Sequence, residues 1–276
     1  MTSDGAGTGV SHAGGGLAGG ARHVARGVLP PAAAFLALLF LWQAVASAGV
    51  MPADVLPSPT RIATAGAAES DALLRNAAPT LIATVTGFTL SVSVALVVAT
   101  LLDFSRPLRR AVLPLLVVSQ TLPMIALAPL VVLWFGFGLL PKVLLVAFVT
   151  FFPMVVGLLR GFGSADPDAE HLLRSMGAGR TTVFRMIRLP AAMPSFFSAL
   201  RISITYAVVG AIFAEYAGAV AGLGVYMQSA KNVFRTDLVL AAVVVSSLVT
   251  LLLYAVVTVT ERVALPWLRI ERGAER

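Results

Sequence analysis

Three strongly polar side chains interrupt the long apolar stretches of this chain: Gln120, Arg201 and Glu215. Such groups are costly in an apolar setting and are functional candidates by default. Catalysis would need partners for them, and the sequence offers none. The histidines are scattered at positions 12, 23 and 171, and no cysteine is present. Metal clusters, disulfides and thiol chemistry are thereby excluded. No two carboxylates share a helical spacing within an apolar stretch, so a polytopic enzyme is rejected. The run from Gly177 to Thr182, GAGRTT, has the glycines of a phosphate loop but lacks its lysine and a preceding strand. Binding and positioning remain. Gln120 reads as a substrate contact or a helix–helix hydrogen bond. Glu215 reads as a pathway or gate residue, a buried pairing or an interfacial charge, and Arg201 as a pathway residue or a snorkelling cation. Gly222 and Gly224 permit close backbone approach at an external mouth. Tyr216 joins the candidate pathway set, although with Trp134 and Tyr226 it also fits an aromatic belt.

The elements that must position these residues follow from composition. The chain has 276 residues, 58% hydrophobic and 12% charged, with mean hydropathy +0.91. A soluble domain carries about 25% charged residues, so the solvent here is lipid. Residues 1–21 are Gly-, Ala- and Ser-rich and read as a disordered tail; residues 22–276 read as the membrane domain. A first span runs from Val28 to Ala48. Its length favours an uncleaved helix over a secretory signal ending at Ala46-Ser47-Ala48. Residues 49–76 form a Pro-punctuated outer loop with a short helix near Asp71 to Asn76. Further spans are expected over 79–102, 111–135, 143–159, 194–217 and 238–259. Each is near the roughly 20 residues that cross a bilayer. The third carries Pro114, Pro123 and Pro129, which marks it as facing the protein interior or a pathway.

Six spans place both termini on one side. Of the 20 Arg and Lys, 14 fall in the tails, the 103–110 loop and the 160–188 segment, against 5 in the alternate loops. That bias puts the tails and the central segment in the cytoplasm. It also accounts for the net charge of +7 without nucleic acid. The central segment, Asp166 to Pro190, is a basic amphipathic insert. Asp166 and Pro167 read as N-cap and first helical residue, and Leu172, Leu173 and Met176 form an apolar face. Gly177 ends this helix. A second begins near Thr181, with Val183, Phe184 and Ile187 opposite Arg185 and Arg188, and stops at Leu189-Pro190. The second helix alone could also lie on anionic lipid.

The insert resembles the cytoplasmic signature of permease subunits of bacterial ABC importers: Glu-Ala-Ala, three residues, Gly, nine residues, Ile-x-Leu-Pro. Gly177, Ile187, Leu189 and Pro190 match that spacing without a gap. His171, Leu172 and Leu173 occupy the Glu-Ala-Ala positions, and Glu170 lies one place early. That departure bears on any salt bridge of the motif glutamate rather than on docking. The resemblance covers about residues 77–265. It implies a coupling helix seated in a groove on a separate ATPase subunit, with Glu170, His171, Arg174, Gly177, Arg180, Phe184, Ile187, Leu189 and Pro190 as its docking residues. It further implies an all-α permease of six transmembrane helices in the bacterial inner membrane, working as a homodimer beneath a substrate-binding protein or lipoprotein. ATP and Mg would bind the partner ATPase, and this chain would carry no cofactor or metal. SQTLPMIALAPLVVLWFGFGLLPK, FFPMVVGLLRGF and EYAGAVAGLGVYM look like permeases for sulfonates, taurine, nitrate, riboflavin-type vitamins and pyrimidines. SMGAGR with EYAGAVAGLGVYM looks most like importers of the thiamine precursor hydroxymethylpyrimidine. The alternative is an ion-coupled secondary transporter, which would need coupling carboxylates near mid-membrane.

Overall fold

A computed structural model of the chain describes residues 16–49 and 51–266. These residues are helical with no strand, and they fall into two units divided after Arg61. In the first unit, α1 (Gly16–Ser47) contains an apolar stretch, Leu29–Ser47, of 19 residues. The helix begins inside the segment expected as a tail: its glycines lower helix propensity without blocking it. Residues 1–15 lie outside the described residues. Asp54 pairs with Arg61 at 3.2 Å beyond α1, and α2 (Pro59–Ala68) carries the chain into the second unit.

The second unit is built on α3 (Ser70–Phe104), α6 (Leu139–Phe162) and α9 (Leu189–Tyr216). The short helix expected near Asp71 is the first turns of α3, which runs on through Pro79. Small residues let these three helices approach closely, as packing in lipid requires. A Cβ added to Gly87 of α3 would lie 2.6 Å from Val146 Cβ of α6. One added to Gly157 of α6 would lie 2.4 Å from Ala199 Cβ, and at Gly161 2.7 Å from Ala192 Cα, both on α9. Around this seam Ala95, Ala99, Met154, Leu158, Phe162, Ala192 and Phe197 form the largest buried cluster. Ser203 of α9 donates to the Thr150 carbonyl of α6 across it at 3.4 Å. The outward faces stay apolar, with Val97, Leu101, Leu248 and Leu251 exposed, as a lipid-facing surface demands.

The proline-rich third stretch is two helices, α4 (Arg106–Ser119) and α5 (Met124–Phe135), bent by 100°. The reason is local. Gln120, Thr121 and Leu122 donate to carbonyls three residues back, which tightens the end of α4. Pro123 then has no N–H to continue the ladder and sits extended at ψ 119°. Among the described residues five helices are long and apolar enough to span, and the bent pair makes six if it is one span. The chain continues through α7 (Pro167–Ser175), α8 (Arg180–Val183), a π turn over Phe184–Arg188, α9, α10 (Leu223–Asn232) and α11 (Thr236–Ala264).

The second helix of the insert does not stop at Leu189-Pro190 as expected. In the π turn the Leu189 N–H reaches the Phe184 carbonyl. That wider turn makes room for the ring of Pro190, which falls at the start of α9.

Gly161→Val should therefore lower the thermal midpoint in detergent by the equivalent of about 1–3 kcal/mol of overpacking. Gly179→Val, where an added Cβ meets nothing within 4 Å, should leave it unchanged. Equal midpoints for the two variants would remove the close-packed seam.

Candidate functional site

Two polar clusters sit at opposite ends of α3, α6 and α9. At the end carrying residues 103 and 170, α7 is capped as its sequence dictates. The Asp166 carboxylate accepts from the Asp168 N–H at 2.9 Å. At the other end of α7 Gly177 takes φ 87°, the Ala178 N–H reaches the Leu173 carbonyl and the Gly177 N–H reaches Arg174. This pair of bonds is the Schellman arrangement, and it needs a glycine at 177.

Arg188 then ties the insert to the bundle. Its Nε and Nη2 donate to the two oxygens of Glu170 at 2.6 and 2.9 Å, and its Nη1 donates to both oxygens of Asp103 at 3.0 Å. Arg174 adds a looser pair to Glu170 at 3.6 Å. Phe184 stacks between Phe104 at 5.2 Å and Phe162 at 5.1 Å. Arg180 lies 5.6 Å over the Phe104 ring and donates to the Phe104 carbonyl at 2.9 Å. The Glu170 carboxyl is held below its ordinary value, chiefly by the hydrogen bond from Arg188, with burial opposing.

The expected docking residues thus divide. Glu170 and Phe184 are buried inside the chain and position the insert, while Gly177 shapes its turn. His171, Arg174, Arg180 and Pro190 are exposed, and Ile187 and Leu189 are half-buried. Two of the three residues of the apolar face expected on α7 turn outward, with Leu172 64% and Met176 75% exposed and Leu173 half-buried, and Met186 of the π turn is 63% exposed. Met186 and Asp103 were missed from the sequence, because a methionine among arginines and an aspartate at a span's end carry no distinctive pattern.

At the far end Glu215 is 1% exposed. Its carboxylate accepts from Thr80 Oγ1 at 2.8 Å and from the Gly224 N–H at 2.8 Å. Lys142 Nζ stands 3.7 Å away and donates to the Ala221 carbonyl at 2.9 Å. The Leu223 N–H bonds Thr80 Oγ1 at 2.9 Å, and the Gly222 N–H bonds Asn76 Oδ1 at 3.1 Å. Gly222, at φ 140°, lies so close that an added Cβ would sit 2.1 Å from the Glu215 carboxyl. Glu215, Gly222 and Gly224 therefore form one buried knot joining α3, α6, α9 and the turn that opens α10. Tyr216 does not join it. Its hydroxyl turns to Met227 Sδ at 3.4 Å, and it lines a cavity of about 460 Å³ with Ile125, Phe213, Met227, Gln228, Lys231 and Asn232. Gln120 is apart from both, exposed at the α4–α5 bend. Arg201 pairs with Glu261 of α11 at 2.6 Å. Among the described residues no group of His, Cys, Asp and Glu could hold a metal.

Residues 87–265 match the family described as binding-protein-dependent transport system inner membrane component. The formylaminopyrimidine transport permease protein ThiX of Halalkalibacterium halodurans is 35% identical over 240 residues, covering 87% of this chain and 96% of its own. The riboflavin transport system permease protein RibX of Chloroflexus aurantiacus is 34% identical, over 83% of this chain and 87% of its own. The putative aliphatic sulfonates transport permease protein SsuC of Bacillus subtilis is 29% identical, over 88% and 87%. A chain of an amino acid ABC transporter crystallised with histidines superposes at TM-score 0.60 and 18% identity, over 72% of this chain and 97% of that one. That likeness bears on the fold.

Lys142→Met leaves the buried Glu215 carboxylate without its cation and should cost about 3–5 kcal/mol. Lys142→Met/Glu215→Gln should recover much of it in a denaturant double-mutant cycle, and additive losses would dismiss the coupling. For Glu170, the depressed carboxyl contributes stability that is fully present above about pH 4.3. It is lost as pH falls through the lowered value. The stability gap between the parent and Glu170→Gln should therefore narrow as pH falls below about 4.3. A gap that stays constant through acid pH would sever Glu170 from Arg188.

Proposed function

Because the chain belongs to the family of binding-protein-dependent transport system inner membrane components, we propose that it carries a small substituted pyrimidine of the thiamine-precursor class into the cytoplasm. In this reading two copies enclose the pathway. Two ATPase subunits, binding ATP and Mg, dock beneath them, and a substrate-binding protein or lipoprotein delivers the solute from outside. Both termini and the insert face the cytoplasm, in accord with the distribution of Arg and Lys. The chain itself performs no catalysis.

The observation that carries the docking role is the outward exposure of three apolar side chains of the insert, Leu172, Met176 and Met186. They sit on an element clamped to the bundle by Arg188 and Phe184. An unclamped amphipathic helix would follow a lipid surface. A clamped one offers a fixed knob to a groove. Closure of the ATPase pair on ATP would then move α3, α6 and α9 together through the insert.

The substrate class rests on the similarity to the formylaminopyrimidine permease and on the cavity beside Tyr216. Phe213 and Tyr216 offer ring faces there, and Gln228 and Asn232 offer amides, which can match the donor–acceptor edge of a pyrimidine. Riboflavin and sulfonates are the rival cargoes, given relatives of 34% and 29% identity.

Proteoliposomes containing this chain, its ATPase and its binding protein should accumulate labelled aminopyrimidine only with ATP. Uptake driven by an ion gradient without the ATPase would overturn the reading, and preferential uptake of riboflavin or taurine would reassign the cargo. Leu172→Glu/Met176→Glu should weaken ATPase co-purification by about tenfold or more, the scale of a lost interface anchor. Undiminished co-purification would remove Leu172 and Met176 from the docking surface.

A further inference from the structure

We infer that the cavity between α3, α4, α7 and α8 is a binding site for a phosphate oxyanion. Its volume is about 530 Å³, and its walls include Arg106, Arg109, Arg174, Arg180 and Arg188 against only Asp103 and Glu170. Both carboxylates are already engaged by Arg188. Arg180 uses a backbone carbonyl and a ring face. Arg106 and Arg109 have no carboxylate partner among the described residues. Three guanidinium groups thus share one concave space without a counter-charge of their own, and their mutual repulsion is relieved by an anion. Guanidinium forks match phosphate geometry and give charge-assisted hydrogen bonds.

A second observation points to the same chemistry. α4 starts at this cavity with Arg106, Arg109 and Arg110, and its next turns expose Leu115, Val117 and Val118. A basic first turn followed by exposed apolar residues is the pattern of a helix at a membrane surface. A phospholipid could place its headgroup among the arginines and its chains along that face. A free phosphorylated solute would use the arginines alone. Exposed Leu172, Met176 and Met186 contribute no wall to the cavity, whereas Arg174 and Arg180, expected among the docking residues, do.

The test uses the purified full-length chain and two probes. Inorganic pyrophosphate is titrated calorimetrically into protein in neutral detergent. Phosphatidylglycerol retention is read by native mass spectrometry after release from phosphatidylcholine nanodiscs that contain it. Arg106→Gln/Arg109→Gln should weaken one or both by about tenfold, whereas Arg106→Lys/Arg109→Lys should lose less. Arg110→Gln, in the same turn but outside the cavity walls, should bind as the parent does. Pyrophosphate binding without lipid retention identifies a soluble phosphate ligand; the reverse identifies a headgroup. Equal binding of both probes by the parent and Arg106→Gln/Arg109→Gln, or an equal loss in Arg110→Gln, overturns the site.

Discussion

The structure depends most on what Arg188 holds together. Asp103 ends α3 and Glu170 lies in α7, and both point at one half-buried space. Two carboxylates there without a cation would repel each other and lose hydration. With Arg188 between them, every oxygen receives a hydrogen bond, which is the condition under which a buried ionic group is tolerable. The bridge therefore fixes where the insert sits. Phe184 between two aromatic rings and Arg180 on the Phe104 carbonyl restrict the remaining freedom.

The far knot answers it at the other end of the same helices. Glu215 ends α9, Lys142 begins α6 and Thr80 opens the membrane portion of α3, so one carboxylate pins three helices and a loop. Between the two clusters runs the seam of Gly87, Gly157 and Gly161, where the facing helices leave no room for a Cβ. Bundles closed at both ends and packed tightly between them move as bodies rather than by bending. The α4–α5 corner, with its missing N–H at Pro123, is different. It has few buried side chains and a backbone break already in place. On the proposed reading, a displacement at α7 reaches the Glu215 end as a rotation of the α3–α6–α9 block, with α4–α5 as the looser neighbour.

Much of this architecture was legible because lipid imposes long, uniform patterns. Apolar length located the spans, and Asp166, Pro167 and Gly177 announced both ends of α7. Prolines marked the third stretch as facing the interior or a pathway, but three prolines alone do not say whether a helix curves or folds by 100°. The π turn was invisible, because Leu189-Pro190 reads as a stop in any local scheme. The ion pairs were beyond reach for a different reason. Lys142 and Glu215 are each a lone charge at the edge of an apolar run, and nothing local says that a chain excursion through α7 to α9 brings them together. Glu170 shows the limit of motif reading: it lies one place before the position that the resemblance gives to a glutamate, and it is buried on Arg188 while His171 beside it is exposed.

The same pairings bear on how work enters the molecule. An ion-coupled carrier needs a carboxylate in its spans that can gain and lose a cation or proton as access alternates. Glu215 is committed to Lys142, Thr80 and the Gly224 N–H, Asp103 to Arg188 and Glu261 to Arg201. Asp71 is exposed in the first turn of α3. Among the described residues, Glu215, Asp103 and Glu261 are thus each held by a cation of the same chain, a neighbour whose loss would destabilise the fold rather than cycle it. The bundle does have one clamped, outward-facing element on which another protein could push, and that asymmetry favours energy arriving through α7.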